Sequence, residues 1–199
     1  MKTRLGAAFG GKSAARLAAA MLHDVWSVVT SVTRAIPVLA AAESGSYGLD
    51  VPDHRVWLQS GADLGLRIES ILQRGLEIAP AAIALGADAP LVTRCDLADA
   101  MEQLKCANAV LGPSSDGGFY LLGSRSCPAG VLAGIPWSCQ STCSATEARL
   151  SSYGMKVARI RSSFDIDTPA DVHRLRRELD ELPPEMAPRT RKLLDTLEW

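Results

Sequence analysis

The chain has 199 residues, 47% of them hydrophobic, enough apolar material for one α/β domain with its own core. A formal net charge of −1 argues against nucleic acid or an anionic membrane surface as primary partner. An aromatic content of 5% argues against platforms for stacking bases.

The elements alternate. Lys12 to Arg34 reads as a helix, with Leu17, Met21, Leu22, Val25, Val28, Val29 and Val32 near a 3.6-residue period. Its alanine-rich start, Ala14 to Ala20, contains Arg16 and runs on to His23 and Asp24, so it is too short and too charged to span a bilayer. Met1-Lys2-Thr3-Arg4 is not followed by the apolar core and cleavage site of a signal peptide, which predicts a cytoplasmic protein. Ile36 to Ala42 is a short strand, and Gly45 to Asp53 a loop. Asp63 should cap a helix running to about Ile78 with Leu64, Ile68, Ile71 and Leu72 inward. A strand over Ala81 to Gly86 ends at Asp88, and Asp96 to Lys105 is a helix. Ala109 to Gly112 and Phe119 to Gly123 are strands joined by a turn at Asp116. Thr142 to Tyr153 is helical, Lys156 to Ile160 a strand, Pro169 to Leu182 a helix opened by proline, and Glu185 to Leu197 a last helix. Strands separated by helices imply a doubly wound, mostly parallel sheet that binds ligands at the carboxyl ends of its strands. The expected division is a domain over residues 1–182 with a C-terminal helix over 183–199.

Cysteines 95, 106, 127, 139 and 143 contain no Cys-x-x-Cys pair, which fits reduced thiols rather than a zinc site or a disulfide framework.

The chemistry lies in three acid-bearing turns. Asp88 follows an apolar strand in Gly86-Ala-Asp-Ala-Pro90, where it could be a ligand-facing acid, an Asx-turn residue or a helix cap. Asp116 lies in Ser114-Ser-Asp-Gly117-Gly118, where glycines allow close approach of a ligand, although Asp-Gly is also a common hairpin signal. Asp165 and Asp167 flank Ile166, so an extended chain points both the same way. Asp167 or Thr168 stands where the helix beginning at Pro169 needs its N-cap. Carboxylates at separate strand ends suit a hard divalent cation, Mg²⁺ or Mn²⁺, shared with substrate phosphates.

Gln59-Ser-Gly-Ala-Asp63-Leu-Gly-Leu-Arg67, Leu85-Gly-Ala-Asp88-Ala-Pro90, Leu111 to Gly123, Ile135-Pro-Trp137-Ser138 and Asp165-Ile-Asp-Thr-Pro169 occur in one order. Together they resemble a family of glycosyltransferases with the Rossmann-like GT-A, or nucleotide-diphospho-sugar transferase, fold, catalogued as a domain of unknown function. The resemblance spans roughly Lys2 to Leu175. More distantly the chain is similar to nucleotidyltransferases that make molybdopterin guanine dinucleotide or activate phospholactate. The resemblance implies Asp88, with Asp165 or Asp167, as ligands of the metal that bridges nucleotide phosphates. It implies Asp63 and Arg67 near the nucleotide, with Lys2, Arg4, Gly117 and Gly118 also available to the phosphates. Trp137 and Ser138 would line the acceptor side, although Trp137 reads equally well as a core aromatic. Asp116 would orient the sugar or act as base.

Two departures from the family pattern stand out. The family begins with an apolar strand and a Pro-Gly loop ahead of Lys-Thr-Arg-Leu, whereas here that tetrapeptide follows Met1. Either the true start lies upstream or this copy is impaired, and in both cases neighbouring strands should show unpaired edges. Ala62 replaces a glycine before Asp63, which is tolerable only if φ there is negative.

The expected activity is sugar transfer from a nucleotide-sugar donor to a small-molecule acceptor. The alternatives are a nucleotidyltransferase releasing pyrophosphate and an inactive remnant of the fold.

Overall fold

The computed structural model describes residues 3–45 and 47–196. Helix α1 (Thr3–Phe9) leads through Gly10, at φ +83°, into α2 (Gly11–Thr30). The inward stripe of α2 is Ala14, Leu17, Met21 and Val25, close to the spacing that the sequence predicts.

Two short strands, β1 (Leu39–Ala41) and β2 (Val56–Leu58), pair in parallel. The sequence pattern extends β1 to both sides, but Ile36 is 52% exposed and the ladder begins only at Leu39. The same pattern names no strand over β2. A strand of three residues carries too little alternation to be recognised.

Helix α3 (Leu64–Leu76) starts at Asp63, whose carboxylate accepts the Leu66 N–H at 2.8 Å, as an N-cap should. Its buried residues are Gly65, Glu69 and Leu72, while Leu64 is half exposed, so the inward face is rotated from the expected one. Glu69 takes part because its carboxylate accepts the Gly130 and Leu132 N–H groups, at 2.7 and 3.0 Å.

After β3 (Ala82–Leu85) comes α4 (Arg94–Gln103), opened by a reciprocal cap between Thr93 and Asp96. Strands β4 (Ala109–Pro113) and β5 (Phe119–Ser124) form a hairpin around Asp116. Helix α5 (Thr142–Ser152), strand β6 (Val157–Arg159), helix α6 (Pro169–Glu181) and helix α7 (Pro188–Thr196) complete the chain.

The larger sheet has the order β3-β5-β4-β6. Strands β4 and β6 are parallel, and β5 runs antiparallel to both β3 and β4. One reversed strand is thus inserted into an otherwise parallel set, in a doubly wound α/β fold. No strand precedes α1 among the described residues. There β1 pairs only with β2, and β3 only with β5.

One core cluster joins Leu5, Leu17 and Met21 to Ile166, Leu175, Leu193 and Leu194, packing α1, α2, α6 and α7 around the segment that bears Asp165 and Asp167. Helix α7 is fixed to α2 by Asp24, which is 4% exposed and accepts the Arg189 and Thr190 N–H groups at 3.1 and 2.8 Å. No helix of the described residues is long and apolar enough to cross a membrane.

Candidate metal and nucleotide site

Asp88 leaves the end of β3 on a loop fastened at both sides. The Gly86 N–H donates to the Tyr120 carbonyl at 2.8 Å, and the Asp88 carbonyl accepts the Ile166 N–H at 3.0 Å. That second bond draws the Asp165–Asp167 segment to the β3 end. A Cβ on Gly86 would lie 2.8 Å from Asp88 Oδ1, so a larger residue there would displace that carboxylate.

Ile166 is fully buried, so alternation along the extended segment turns Asp165 and Asp167 to the opposite side. The helix cap falls to neither acid. Thr168 caps α6, its hydroxyl accepting the Asp171 N–H while the Asp171 carboxylate binds back to the Thr168 N–H at 2.7 Å. Nor does Asp88 cap α4, since Thr93 does.

Asp88, Asp165 and Asp167 each offer a carboxylate oxygen within 4.8 Å of the other two, and all three are half-buried. Burial is the largest influence on Asp165 and raises its pKa above the ordinary carboxylate value. The charges of Asp116 and Asp88 push it the same way, against a hydrogen bond from Ser114. Hard oxygen donors converging at partial burial are of the kind that suits a hard divalent cation.

Asp116 is exposed at the tip of the β4–β5 connection, where its Oδ1 accepts the Gly118 N–H at 2.8 Å and closes an Asx turn. One carboxylate thus shapes the turn and also acts electrostatically on Asp165. Gly117 has φ +91°, and a Cβ there would lie 2.1 Å from the Gln140 carbonyl. The Gly117 carbonyl accepts the Cys143 N–H at 2.8 Å, so the start of α5 rests directly on this turn.

Trp137 and Ser138 lie on the connection between β5 and α5. Trp137 is half-buried, meets Phe119 edge-on at 6.0 Å, and presses on α3 where a Cβ on Gly65 would lie 2.7 Å from its ring. That contact sets the Asp63–Arg67 end of α3 beside Trp137. Asp63 itself is spent on the helix cap, and Arg67 Nε donates to the Gly61 carbonyl at 3.2 Å. The left-handed position in this loop is Gly61, at φ +138°. Ala62 is not among the residues with positive φ, so its departure from glycine is accommodated.

Arg4 is exposed on α1, whose Leu5 packs in the same core cluster as Ile166. Lys2 lies outside the described residues.

The structure adds groups that the sequence did not mark. Ser114 Oγ donates to Asp165 Oδ1 at 2.5 Å. Arg174 of α6 lies over the Phe164 ring at 3.8 Å and donates to Ser115 Oγ at 2.8 Å. Neither pairing has a local signal, because each joins residues remote in the chain.

With this geometry in view, three comparisons are informative. A crystal structure from Desulfovibrio desulfuricans G20, described as a "putative nucleotide-diphospho-sugar transferase", is 24% identical and superposes with a TM-score of 0.87. The match covers 98% of this chain and 88% of that one, which establishes the fold. No curated protein matches. The model of a family described as "Uncharacterized protein conserved in bacteria (DUF2064)" matches residues 15–139, a stretch that includes Asp63, Asp88 and Asp116. The chain belongs to the DUF2064 family.

Proposed function

We propose that this protein is a metal-dependent transferase that moves a sugar from a nucleotide-diphosphate donor to the hydroxyl of a small-molecule acceptor. The observation that carries the reading is the convergence of Asp88, Asp165 and Asp167 within 4.8 Å from two separate strand ends of a nucleotide-diphospho-sugar transferase fold. Ligands of a shared cation need such convergence of carboxylate oxygens.

In this reading Asp88, Asp165 and Asp167 hold Mg²⁺ or Mn²⁺. A cation held there would supply positive charge to offset that of the donor diphosphate. The glycine turn at Gly117 and Gly118 lets the backbone approach the donor closely. Asp63 and Arg67 shape the nucleotide end through the start of α3, and Lys2 and Arg4 are further phosphate contacts. Trp137 and Ser138 bound the acceptor. Asp116 orients the sugar or receives the proton that leaves the acceptor hydroxyl as its oxygen bonds to the sugar, and its exposure on a fixed turn supports either role.

The test is thermal unfolding with a panel of nucleoside diphosphates, triphosphates and nucleotide sugars, each with and without Mn²⁺. A ligand that binds only the folded state raises the midpoint by mass action. A metal-dependent rise confined to one nucleotide sugar, lost in Asp88→Asn, is the expected result. Consumption of a triphosphate with release of pyrophosphate would replace sugar transfer by nucleotidyl transfer. No rise with any ligand, from a cooperatively melting protein, would refute catalysis by this chain.

A further inference from the structure

We propose that Ser114 is a positioning residue for the metal site, holding the Asp165 carboxylate in its ligating orientation through the Ser114 hydroxyl. The inference rests on the metal-binding reading above and assigns a role to a side chain outside the acid cluster.

The local geometry leaves the hydroxyl little else to do. Ser114 is 7% exposed and lies just beyond β4. Its main chain is already engaged, with its N–H donating to the Gly118 carbonyl at 2.9 Å and the residue forming a parallel bridge to Ser163. The side chain then points to Asp165 Oδ1 at 2.5 Å.

A carboxylate on an extended segment can rotate about its side-chain bonds. Asp165 is kept from doing so by a donor just beyond the end of β4, and that donor is fixed by the β4–β5 turn. One oxygen, Oδ1, is thereby held by the hydroxyl. Groups that hydrogen-bond to metal ligands in this way control ligand orientation, and their loss commonly costs about 10–100-fold in metal affinity.

The arrangement also couples two parts of the site. Ser114 precedes Asp116 by two positions on one turn, and the Ser115 N–H donates to the Ser163 carbonyl at 3.0 Å, close before Asp165 in the chain. A shift of the Asp116 turn would therefore be felt directly at the metal ligand.

The experiment is Mn²⁺ binding to the full-length protein, followed by the loss of the free-ion electron paramagnetic resonance signal, with melting in chelator recorded for each variant. Ser114→Ala should weaken Mn²⁺ binding by about tenfold or more. Ser114→Thr keeps the hydroxyl and should bind within about threefold of wild type, while Ser114→Val, of nearly the same shape, should bind like Ser114→Ala. The threonine–valine pair decides the matter even if the alanine variant folds poorly. Asp165→Asn separates the two levels of inference. If wild type and Asp165→Asn bind Mn²⁺ alike, the acid cluster is not the metal site and both readings fall. If Asp165→Asn loses binding but the threonine and valine variants bind equally, the cluster stands and the role of Ser114 is refuted.

Discussion

Replacing Asp165 with asparagine should stabilise the metal-free protein while removing its response to metal. In the wild type, Asp165 faces the carboxylates of Asp88 and Asp167 with oxygens within 4.8 Å. Two unit charges at that separation repel by about 0.9 kcal/mol at the dielectric of water and about 3.5 kcal/mol at an effective value near 20. Partial exposure places the site toward the lower figure, so neutralising one member relieves two repulsions worth about 2 kcal/mol in all. The asparagine Oδ1 still accepts from Ser114 Oγ, so little is lost in exchange. The midpoint in chelator should rise by about 2–4 °C per kcal/mol for a domain of this size. Added Mn²⁺ at 100 times its dissociation constant should stabilise the wild type by about 2.7 kcal/mol and leave the variant unmoved.

The pH dependence gives an internal check. The Asp165 pKa is raised in the folded state, chiefly by burial and then by Asp116 and Asp88, so folding takes up a proton. Metal-free wild type therefore gains stability as pH falls from above the raised value toward the ordinary carboxylate range near ~4. The advantage of Asp165→Asn should shrink over that window. Calorimetry in chelator from pH 8 to pH 4, repeated with Mn²⁺ at neutral pH, makes the comparison. A metal-free variant that is less stable than wild type by more than about 1 kcal/mol at neutral pH would refute the argument, because the crowded acids would then be a structural asset.

Two further predictions concern the frame around the site. Asp96→Ala should cost about 2–4 kcal/mol in urea unfolding at pH 7, because it strands the Thr93 N–H and hydroxyl, each 2.7 Å from Asp96 Oδ2, and breaks the pair with half-exposed Arg161. Burial pushes the Asp96 pKa up, but bonds from Arg161 and Thr93 outweigh it and leave it lowered. This contribution is thus full above pH ~4 and is lost as pH falls through the lowered value; a cost under about 1 kcal/mol would contradict it. Gly117→Ala should cost clearly more than Gly130→Ala. Both glycines have positive φ, at +91° and +77°, but only at Gly117 would the new Cβ meet backbone, 2.1 Å from the Gln140 carbonyl. The left-handed conformation alone costs about 1–2 kcal/mol, so equal costs in the two variants would show that the turn can move away from α5 without penalty.

Much of this protein is written locally. The Asp63 cap, the proline start of α6, the Asp116-Gly117-Gly118 turn and the placing of Asp88 after an apolar strand depend on residues within a few positions of each other. They are legible because capping, proline and glycine act over that range. The alternation that points Asp165 and Asp167 the same way is of the same kind.

What the sequence left open was decided by contacts between distant segments. Whether Asp167 or Thr168 caps the helix was settled when Thr168 and Asp171 formed the cap between them. The inward face of α3 was turned away from Leu64 because Glu69 found two N–H donors in the loop at Gly130 to Leu132, a pairing no periodicity encodes. Strand order placed β5 between β3 and β4, although β4 precedes it in sequence. Each acid was available in the sequence, but their meeting required the Ile166 N–H to bind the Asp88 carbonyl and Ser114 to reach Asp165 across strands. The sequence by itself determined which residues could carry charge to a strand end. Tertiary structure decided which of them converge, because crowding carboxylates to within 4.8 Å costs energy that the packing of the whole core must supply.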